Sequence, residues 1–310
     1  MLSIYKTVDG RVTQIRGYEP GCWISLTDPT EEELELMVRE RGIDPDFIRA
    51  ALDEEETSRV ESYGGQTLII VDVPAAEPQK NGGELYSTVP FGIIVADEQE
   101  CFVTVSLRRN AVVEELSGGT VKNVRTEFRT QLLLTLLMRI AMRFLYCLRQ
   151  IERASSEMEK RLDKPLRDSE LMQLLSLEKS LVYFSTSLGA NEATMEKLQR
   201  GRLVKLYDED AELLDDTLIE MKQAIEMCGI YSSILSRTRD AVAALISNRL
   251  NVVMKVMTVV TILMEIPTMI FSFYGMNTDL PLPYTWFPTL TALLLTGTVA
   301  AVLFKKGMFR

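Results

Sequence analysis

The 310-residue chain contains no histidine, the side chain that most often binds transition metals or acts as a general base. It also lacks the patterns GxxxxGKS/T, GxGxxG and GxSxG. Those patterns would indicate a phosphate-binding loop, a dinucleotide site or a hydrolase nucleophile. Because no residue pattern for covalent catalysis is present, we expect a protein that is not an enzyme.

Cysteine is also scarce, and the 34 lysines and arginines are outnumbered by 44 aspartates and glutamates. The net charge of −10 argues against nucleic acid as a partner, since proteins that bind it need basic surfaces. An acidic run at residues 53–56, DEEE, is either a metal site or a solvated loop. No CxxC pair occurs, which indicates buried free thiols in a reducing compartment. The cysteines are Cys22, Cys101, Cys147 and Cys228.

Long apolar runs are absent from the first 250 residues, and the first 30 residues lack a signal-peptide pattern. The composition, 46% hydrophobic and 25% charged, suits a large soluble body with a small membrane part. Two runs near the C-terminus supply that part. Val252–Phe273 has only Lys255 and Glu265 charged, and as a helix it is about 33 Å long, enough to cross a bilayer core of about 30 Å. Residues 286–304 carry no charge and predict a second span.

The charges that flank these runs predict the orientation in the membrane. Arg249 precedes the first run, and Lys305, Lys306 and Arg310 follow the second. The connecting loop, residues 278–285, has no lysine or arginine. By the positive-inside rule, both termini are cytoplasmic and the loop lies outside the cell membrane.

Polar residues recur along the first run at intervals of seven, nearly two helical turns, and so form one stripe on an apolar helix. Unpaired polar groups are costly in lipid, so the stripe must face a neighbouring helix or water. Glu265 near mid-membrane favours a water-filled pore. A single helix cannot enclose water, which predicts a ring of identical chains. The stripe comprises Asn251, Thr258, Glu265 and Ser272, with Thr261 and Thr268 three residues after two of them.

Residues 1–120 predict a cytoplasmic α+β domain in which helices pack on a mainly antiparallel sheet. Asp9-Gly10 indicates a hairpin, and either Asp28 or Thr30 is expected to cap a first helix that stops at Gly42. A second short helix opens at Asp44-Pro45. Four strands are expected to follow, at about residues 58–63, 67–73, 86–96 and 101–107.

Residues 121–207 predict a helical layer with helices over 121–162 and 169–200. A stalk helix over 208–250 is expected to continue through the first span, 251–277, to Tyr274. The outer loop (278–285), the second span (286–304) and a basic cytoplasmic tail (305–310) complete the division. Apolar residues at spacings of three, four or seven predict a packing seam on the stalk. They are Leu214, Leu218, Met221, Ile225, Cys228, Leu235, Val242 and Leu245.

The first span ends in Tyr274-Gly275-Met276-Asn277. This YGMN, at the outer end of the first of two C-terminal spans, resembles the CorA family of magnesium channels. Segment 246–261, ISNRLNVVMKVMTVVT, resembles the family's segment that enters the membrane. The resemblance covers most of the chain and implies a homopentamer with an α/β domain, a helical layer, a stalk and two spans.

The resemblance also implies roles for individual pore residues. Asn277, with the carbonyls of Gly275 and Met276, would ring the outer mouth and bind hexahydrated Mg²⁺ through its waters. Mg²⁺ dehydrates reluctantly, so amide and carbonyl dipoles can hold the hydrated ion without stripping it. Asn251 matches the family's inner polar ring, and Met254 and Met257 match its hydrophobic gate.

The family's inhibitory Mg²⁺ site pairs an aspartate of the α/β domain with a stalk acid of a neighbouring chain. The matching stalk acids are Asp216, beside Asp215, and Asp240. The matching position of the α/β domain is Ala50, and Asp53 is the nearest substitute, so the sequence departs from the family here. A second departure is Glu265, where the family usually has an apolar residue.

These observations predict a pentameric channel, gated by its cytoplasmic domain, that lets Mg²⁺ down its electrochemical gradient into the cell. One alternative is a transporter of the same family for Co²⁺, Ni²⁺ or Zn²⁺, although the missing histidine favours a hard ion. Another is a membrane-anchored cytoplasmic sensor. Glu265 also has an alternative to the lumen, a hydrogen bond between helices near Thr261, Thr268 or the backbone freed by Pro267.

Overall fold

The computed structural model describes residues 1–78, 84–96, 100–161, 167–201, 204, 207–276, 284 and 286–308. These residues divide into two compact units, Met1–Arg237 and Thr238–Arg310. The first contains the sheet and most of the helices. The second contains the C-terminal part of a long helix and one further helix.

The sheet of the first unit has seven strands in the order β2-β1-β3-β7-β6-β5-β4. All neighbouring pairs are antiparallel except β3 and β7, so the expectation of a mainly antiparallel sheet is confirmed. Asp9 and Gly10 both have positive φ between β1 and β2, as a tight hairpin requires. The strands are β1 (Leu2–Val8), β2 (Arg11–Ile15), β3 (Trp23–Thr27), β4 (Arg59–Tyr63), β5 (Gln66–Pro78), β6 (Glu84–Ala96) and β7 (Cys101–Ser106).

The described residues form seven helices. Thr30 caps the first of them in a capping box with Glu33, and Gly42 ends it with φ 62°. Of the two candidate caps, Thr30 is therefore the one used. The helices are α1 (Glu31–Arg41), α2 (Pro45–Ala50), α3 (Ala111–Ser117), α4 (Arg129–Glu159), α5 (Asp168–Gly201), α6 (Asp208–Tyr274) and α7 (Trp286–Lys305).

The helical layer begins later than the sequence predicts. Residues 121–128 are turns and irregular backbone, and α4 starts at Arg129, so the expectation of helix from residue 121 was wrong. The short helix α3 was not expected. Its seven residues complete only about two turns, too few for a periodic apolar pattern to stand out.

The sheet lies between two helical layers because successive residues of a strand point to opposite faces. On β7, Val103 packs with α1 and α2, whereas Phe102 packs with α3, α4 and α5. The first layer comes so close that a Cβ on Gly92 of β6 would lie 2.3 Å from the Cβ of Ala51. Only glycine fits at that position without a shift of the neighbouring backbone or side chain.

Asn191 of α5 joins the second layer to the sheet. Its side chain accepts a hydrogen bond from the backbone N–H of Asp72 (2.8 Å) and donates one to the Asp72 carbonyl (2.9 Å). It also accepts from the Ser58 hydroxyl at 2.8 Å. The ladder between β4 and β5 ends at Ile70, so Asn191 satisfies backbone groups that no strand reaches.

The predicted seam on α6 largely matches the core. Its members from Leu214 to Leu235 are buried or partly buried against the second helical layer. In the second unit Val242 is 3% exposed, but Leu245 is 37% exposed, so the seam does not extend to Leu245. The helix itself runs without interruption to Tyr274, as the sequence predicts.

Among the described residues, three helices are long and apolar enough to cross a membrane: α4, α6 and α7. The apolar window of α4 is 61% buried inside the protein, against 6% for α6 and 11% for α7. The apolar residues of α4 therefore already have protein partners. Those of α6 and α7 leave an apolar surface exposed.

Candidate functional site

The α6 span contacts α7 within the second unit at its outer end, where the rings of Tyr274 on α6 and Phe287 on α7 lie 6.2 Å apart. Val259, Leu263 and Ile270 lie on the same side of α6 as Tyr274 at about 100° per residue, and all are buried or half-buried. We call this apolar side of α6 the α7-facing stripe.

The polar stripe lies on the opposite half of α6. Counted at about 100° per residue, its members lie more than about 100° from the α7-facing stripe. Each of them is exposed, as are the two predicted gate methionines on that half. The residues are Asn251, Met254, Met257, Thr258, Thr261, Glu265, Thr268 and Ser272. Packing against α7 therefore does not account for the stripe.

The threonine hydroxyls of the stripe donate their hydrogen bonds to backbone carbonyls of the same helix. Thr258, Thr261 and Thr268 each donate to the carbonyl four residues earlier, at 2.8–2.9 Å. Their oxygens then face outward only as hydrogen-bond acceptors. The waters around a bound cation turn their hydrogens outward, so an acceptor surface suits a hydrated cation.

Glu265 places a carboxylate in the same stripe. Its side chain is exposed and makes no hydrogen bond or ion pair within the described part of the chain. Lys255, the other charge of the span, is ten residues away, about 15 Å along the helix. Within the described residues of one chain, Glu265 thus has no neutralising partner, although a charged side chain inside a membrane is normally paired.

The outer end of the span is only partly described. After Tyr274 the helix closes with hydrogen bonds from Gly275 N to the Phe271 carbonyl (2.9 Å) and from Met276 N to the Phe273 carbonyl (3.4 Å). Gly275 and Met276 are exposed. Asn277, the predicted selectivity residue, lies outside the described residues.

The four acids of the predicted regulatory site are all exposed. The Asp53 carboxylate accepts from Glu55 N (3.0 Å), Asp215 accepts from the Gln199 amide (2.6 Å), and Asp240 lies 3.5 Å from Arg239. Within the described ranges of one chain, no three Asp, Glu, His or Cys side chains form a metal-sized cluster. This holds for Asp216 and for the acidic run 53–56 as well. A site of these residues would need a second chain.

The cysteines are free and buried, as the sequence predicts. Burial raises the pKa of the Cys101 thiol to about 12, and those of Cys147 and Cys228 to about 11. Burial also raises the pKa of Cys22. Soft metals bind thiolates, so these protonated thiols are poor ligands for them at neutral pH.

Sequence reasoning missed a second apolar surface on the first unit. Val182 on α5 and Ile219 and Ile230 on α6 are 61%, 61% and 56% exposed. Ile219 and Ile230 are eleven residues apart, about three turns, so they lie on one face of the helix. That spacing is visible in the sequence and could have revealed a face separate from the core seam.

The family model described as CorA-like Mg²⁺ transporter protein matches residues 19–306. The cobalt/magnesium transport protein CorA of Methanocaldococcus jannaschii is 31% identical over 262 residues, 82% of this chain and 79% of that protein.

Solved structures give the same fold. The complete CorA magnesium transporter from M. jannaschii aligns with a TM-score of 0.79 at 25% identity, covering 98% of this chain and 96% of that one. The full-length CmaX protein aligns with a TM-score of 0.67 over 98% of this chain and 94% of that one. At 16% identity the latter is a likeness of fold alone.

Proposed function

The chain belongs to the CorA-like Mg²⁺ transporter family, and from that premise we propose that it forms a pentameric channel for Mg²⁺. The ion enters the cell down its electrochemical gradient, and the cytoplasmic domain gates the pathway. The pore, the pentamer, the transported ion and the direction of its flux are what we propose.

The observation that carries the proposal is the polar stripe on the half of α6 away from α7. Each chain covers one side of its first span with its own second span. The remaining side, with Thr258, Glu265 and Ser272, must meet protein or water. In a closed ring of chains this side faces a central lumen, and α7 separates it from lipid.

Mg²⁺ is the ion that the lining suits best. It keeps its waters more tightly than other biological cations, and acceptor oxygens can hold those waters. The threonine hydroxyls of the stripe present such acceptors. Asn277 and the carbonyls of Gly275 and Met276 extend the acceptor surface to the outer mouth in this proposal.

An exposed apolar face of α6 in the first unit supports the assembly of several copies. Ile219 and Ile230, which lie on that face, are each more than half exposed, as is Val182 on α5. Large apolar side chains on one helical face are typical of a surface that another chain covers. We assign this face to the contact between neighbouring chains, with lipid bilayer around the spans.

The flanking charges support the orientation. By the positive-inside rule, Arg249 and the basic residues at the C-terminus favour cytoplasmic termini, with the loop 278–285 outside. The large acidic unit then lies where it senses cytoplasmic ion levels. Influx through the ring follows from the inside-negative membrane potential, which is worth about 2.3 kcal/mol per charge at 100 mV.

Feedback by Mg²⁺ is the second part of the proposal. Asp53 of one chain and Asp215, Asp216 or Asp240 of a neighbour hold Mg²⁺ between subunits and keep the ring closed. Mass action then requires Mg²⁺ to protect the cytoplasmic part against heat or protease. If Asp53→Ala combined with Asp216→Lys leaves that protection unchanged, the regulatory site lies elsewhere.

A second candidate ion is Co²⁺, because the relative in M. jannaschii is called a cobalt/magnesium transport protein. The missing histidine and the buried thiols leave this chain without accessible imidazole or thiolate ligands for Co²⁺, Ni²⁺ or Zn²⁺ among its described residues. A passive sensor anchor is the third alternative. It would need neither an exposed polar stripe nor an unpaired Glu265.

Ion flux into proteoliposomes tests the proposal, with Mg²⁺, Co²⁺, Ni²⁺ and Na⁺ compared. We expect Mg²⁺ to pass and Asn277→Ala to abolish its uptake while the pentamer, measured by light scattering, stays assembled. Near-normal Mg²⁺ uptake by Asn277→Ala would reject the selectivity ring. Absence of flux for every ion would favour the anchor.

A further inference from the structure

A second candidate site lies in the first unit, at the ends of the two parallel strands. β3 and β7 pair up to Thr27 and Ser106, and the N–H of Asp28 donates to the Ser106 carbonyl at 2.9 Å. After β3 the chain passes to α1 on one face of the sheet, and after β7 it passes to α3 on the other. Adjacent parallel strands whose connections leave on opposite faces open a crevice at their carboxyl ends, the usual ligand site of open α/β sheets.

A cavity of about 470 Å³ occupies this crevice. Its size falls in the range of about 300–1,000 Å³ that small-molecule sites occupy. Ser25 from β3, Tyr5 from β1, and Arg109, Asn110 and Val113 around α3 line it. The cavity is thus built by several separate elements of the fold, not by one loop.

Two buried polar side chains in the cavity wall lack partners. Ser25 is 3% exposed, and its hydroxyl makes no hydrogen bond among the residues that the structure describes. Asn110 is 7% exposed; its amide oxygen accepts from Val112 N at 2.8 Å, but its NH₂ group donates to no described residue. Both groups border the cavity and are not among the fully enclosed unpaired atoms of the described residues, so water or a ligand in the cavity supplies their partner.

The charged side chains at the cavity rim indicate which class of ligand the cavity would bind. Arg108 is already paired with Glu77 (2.7 Å) and Glu54 (3.1 Å). Arg109, its exposed neighbour, makes no ion pair in the described part of the chain. Its guanidinium is therefore available for a bidentate interaction with an anion such as phosphate. The carboxylates of Asp28 and Glu114, also on the rim, disfavour a long polyphosphate.

We propose that this cavity binds a nucleoside monophosphate or a closely related sugar phosphate. Arg109 holds the phosphate, and the Ser25 hydroxyl and the Asn110 NH₂ group hydrogen-bond the sugar hydroxyls. The side chains of Tyr5 and Val113 give the base an apolar wall. The site is separate from the polar stripe of α6, and its existence does not depend on which ion the protein transports.

Calorimetric titration of the full-length protein in detergent tests the proposal, with AMP, ribose 5-phosphate and inorganic phosphate as ligands. EDTA in the buffer removes divalent ions and so separates this site from any cation site. We expect AMP to bind with a Kd of about 1 mM or tighter. Arg109→Gln should weaken AMP about tenfold, the size of a lost charged hydrogen bond. The matched control is Arg153→Gln, an exposed arginine on α4.

The variant Ser25→Ala tests whether the Ser25 hydroxyl binds a ligand or only stabilises the fold. Removing an unsatisfied buried hydroxyl should not lower the Tm of the free protein, yet it should weaken AMP binding about threefold. The proposal is overturned if no ligand binds saturably up to about 10 mM, or if Arg109→Gln and Arg153→Gln bind AMP equally. Equal affinity for AMP and inorganic phosphate would also overturn it, because the site would then select an anion alone.

Discussion

Helix α4 and the C-terminal part of α6 are both apolar enough to cross a membrane, but they occupy opposite environments. The apolar window of α4 is 61% buried by the protein itself, and that of α6 only 6%. Charge does not separate the two windows, because each contains at most two charged residues. The difference lies in the partners: the apolar residues of α4 pack against the sheet and α5, whereas those of the α6 span stay exposed. Apolar content alone does not identify a membrane helix; apolar content that the protein leaves unburied is the stronger sign.

The largest expected effect contrasts one phenylalanine from each helix. Phe144 on α4 is fully buried, with its ring edge-on to Phe184 at 5.1 Å. Phe144→Ala should cost about 3–5 kcal/mol, or about 10 °C in Tm, because it leaves a cavity. Phe271 on α6 is 47% exposed, so Phe271→Ala should change the Tm by less than about 2 °C. Fluorescence of Trp23 in a Trp286→Phe background reports unfolding of the first unit. Equal losses from both variants would mean that the two helices are packed alike.

The next comparison is between a crowded glycine and an open one. A Cβ at Gly92 would overlap that of Ala51, and Gly92→Ala should cost about 1–3 kcal/mol through overpacking. Gly189 on α5 has nothing within 4 Å, so Gly189→Ala should stabilise its helix by about 0.5–1 kcal/mol. Urea unfolding of both variants shows whether each substitution raises or lowers the free energy of unfolding. Adding Ala51→Gly should restore the Gly92→Ala protein, and failure of that rescue would place the strain elsewhere.

A third comparison sets a carboxylate of the span against one of α4. Under the pore proposal, Glu265→Gln keeps the size of the side chain but should lower the Mg²⁺/Na⁺ flux ratio about tenfold, which corresponds to about 1.4 kcal/mol of ion binding. Glu152→Gln on α4 is the control and should leave the ratio unchanged. The assay is flux into proteoliposomes of matched protein content. An unchanged ratio for Glu265→Gln would remove this carboxylate from the permeation path.

The smallest expected effect concerns a polar group inside the packed unit. Burial raises the pKa of Asp72 above its usual value. A carboxyl with a raised pKa in the folded protein binds its proton more tightly there, so its contribution to stability is greatest in acid. That contribution is lost as pH rises through the raised pKa. Asp72→Asn should therefore stabilise the protein at neutral pH relative to its effect near pH 4, by a shift in Tm that grows with pH. A pH-independent shift, matching that of exposed Glu157→Gln, would contradict the assignment.

Much of this architecture could be predicted because its signals are local. Asp9-Gly10 specified a hairpin, Thr30 with Glu33 a helix start, and the unbroken run after Asp208 a helix to Tyr274. The side of α6 that carries the polar stripe followed from spacing alone. The domain boundaries at 120, 207 and 250 stay predictions, as do the roles of the pore and regulatory residues.

Other features depend on contacts between distant residues. Trp23 pairs with Phe102 across the parallel strands, and no periodicity relates positions so far apart. The cavity at the ends of β3 and β7 follows from that pairing and from the unexpected α3. Asn191 likewise gave no signal, because a single amide in a helix is usually an exposed residue.

The side-chain amide of Asn191 protects an open edge of the sheet against aggregation. Beyond Ile70, strand β5 has no described neighbour on the β4 side, and an open strand edge is a template on which another chain can add a strand. Asn191 occupies the N–H and carbonyl of Asp72, the second residue past the end of the ladder, and α5 lies over them. This side chain therefore blocks strand addition at the part of the open edge nearest the ladder.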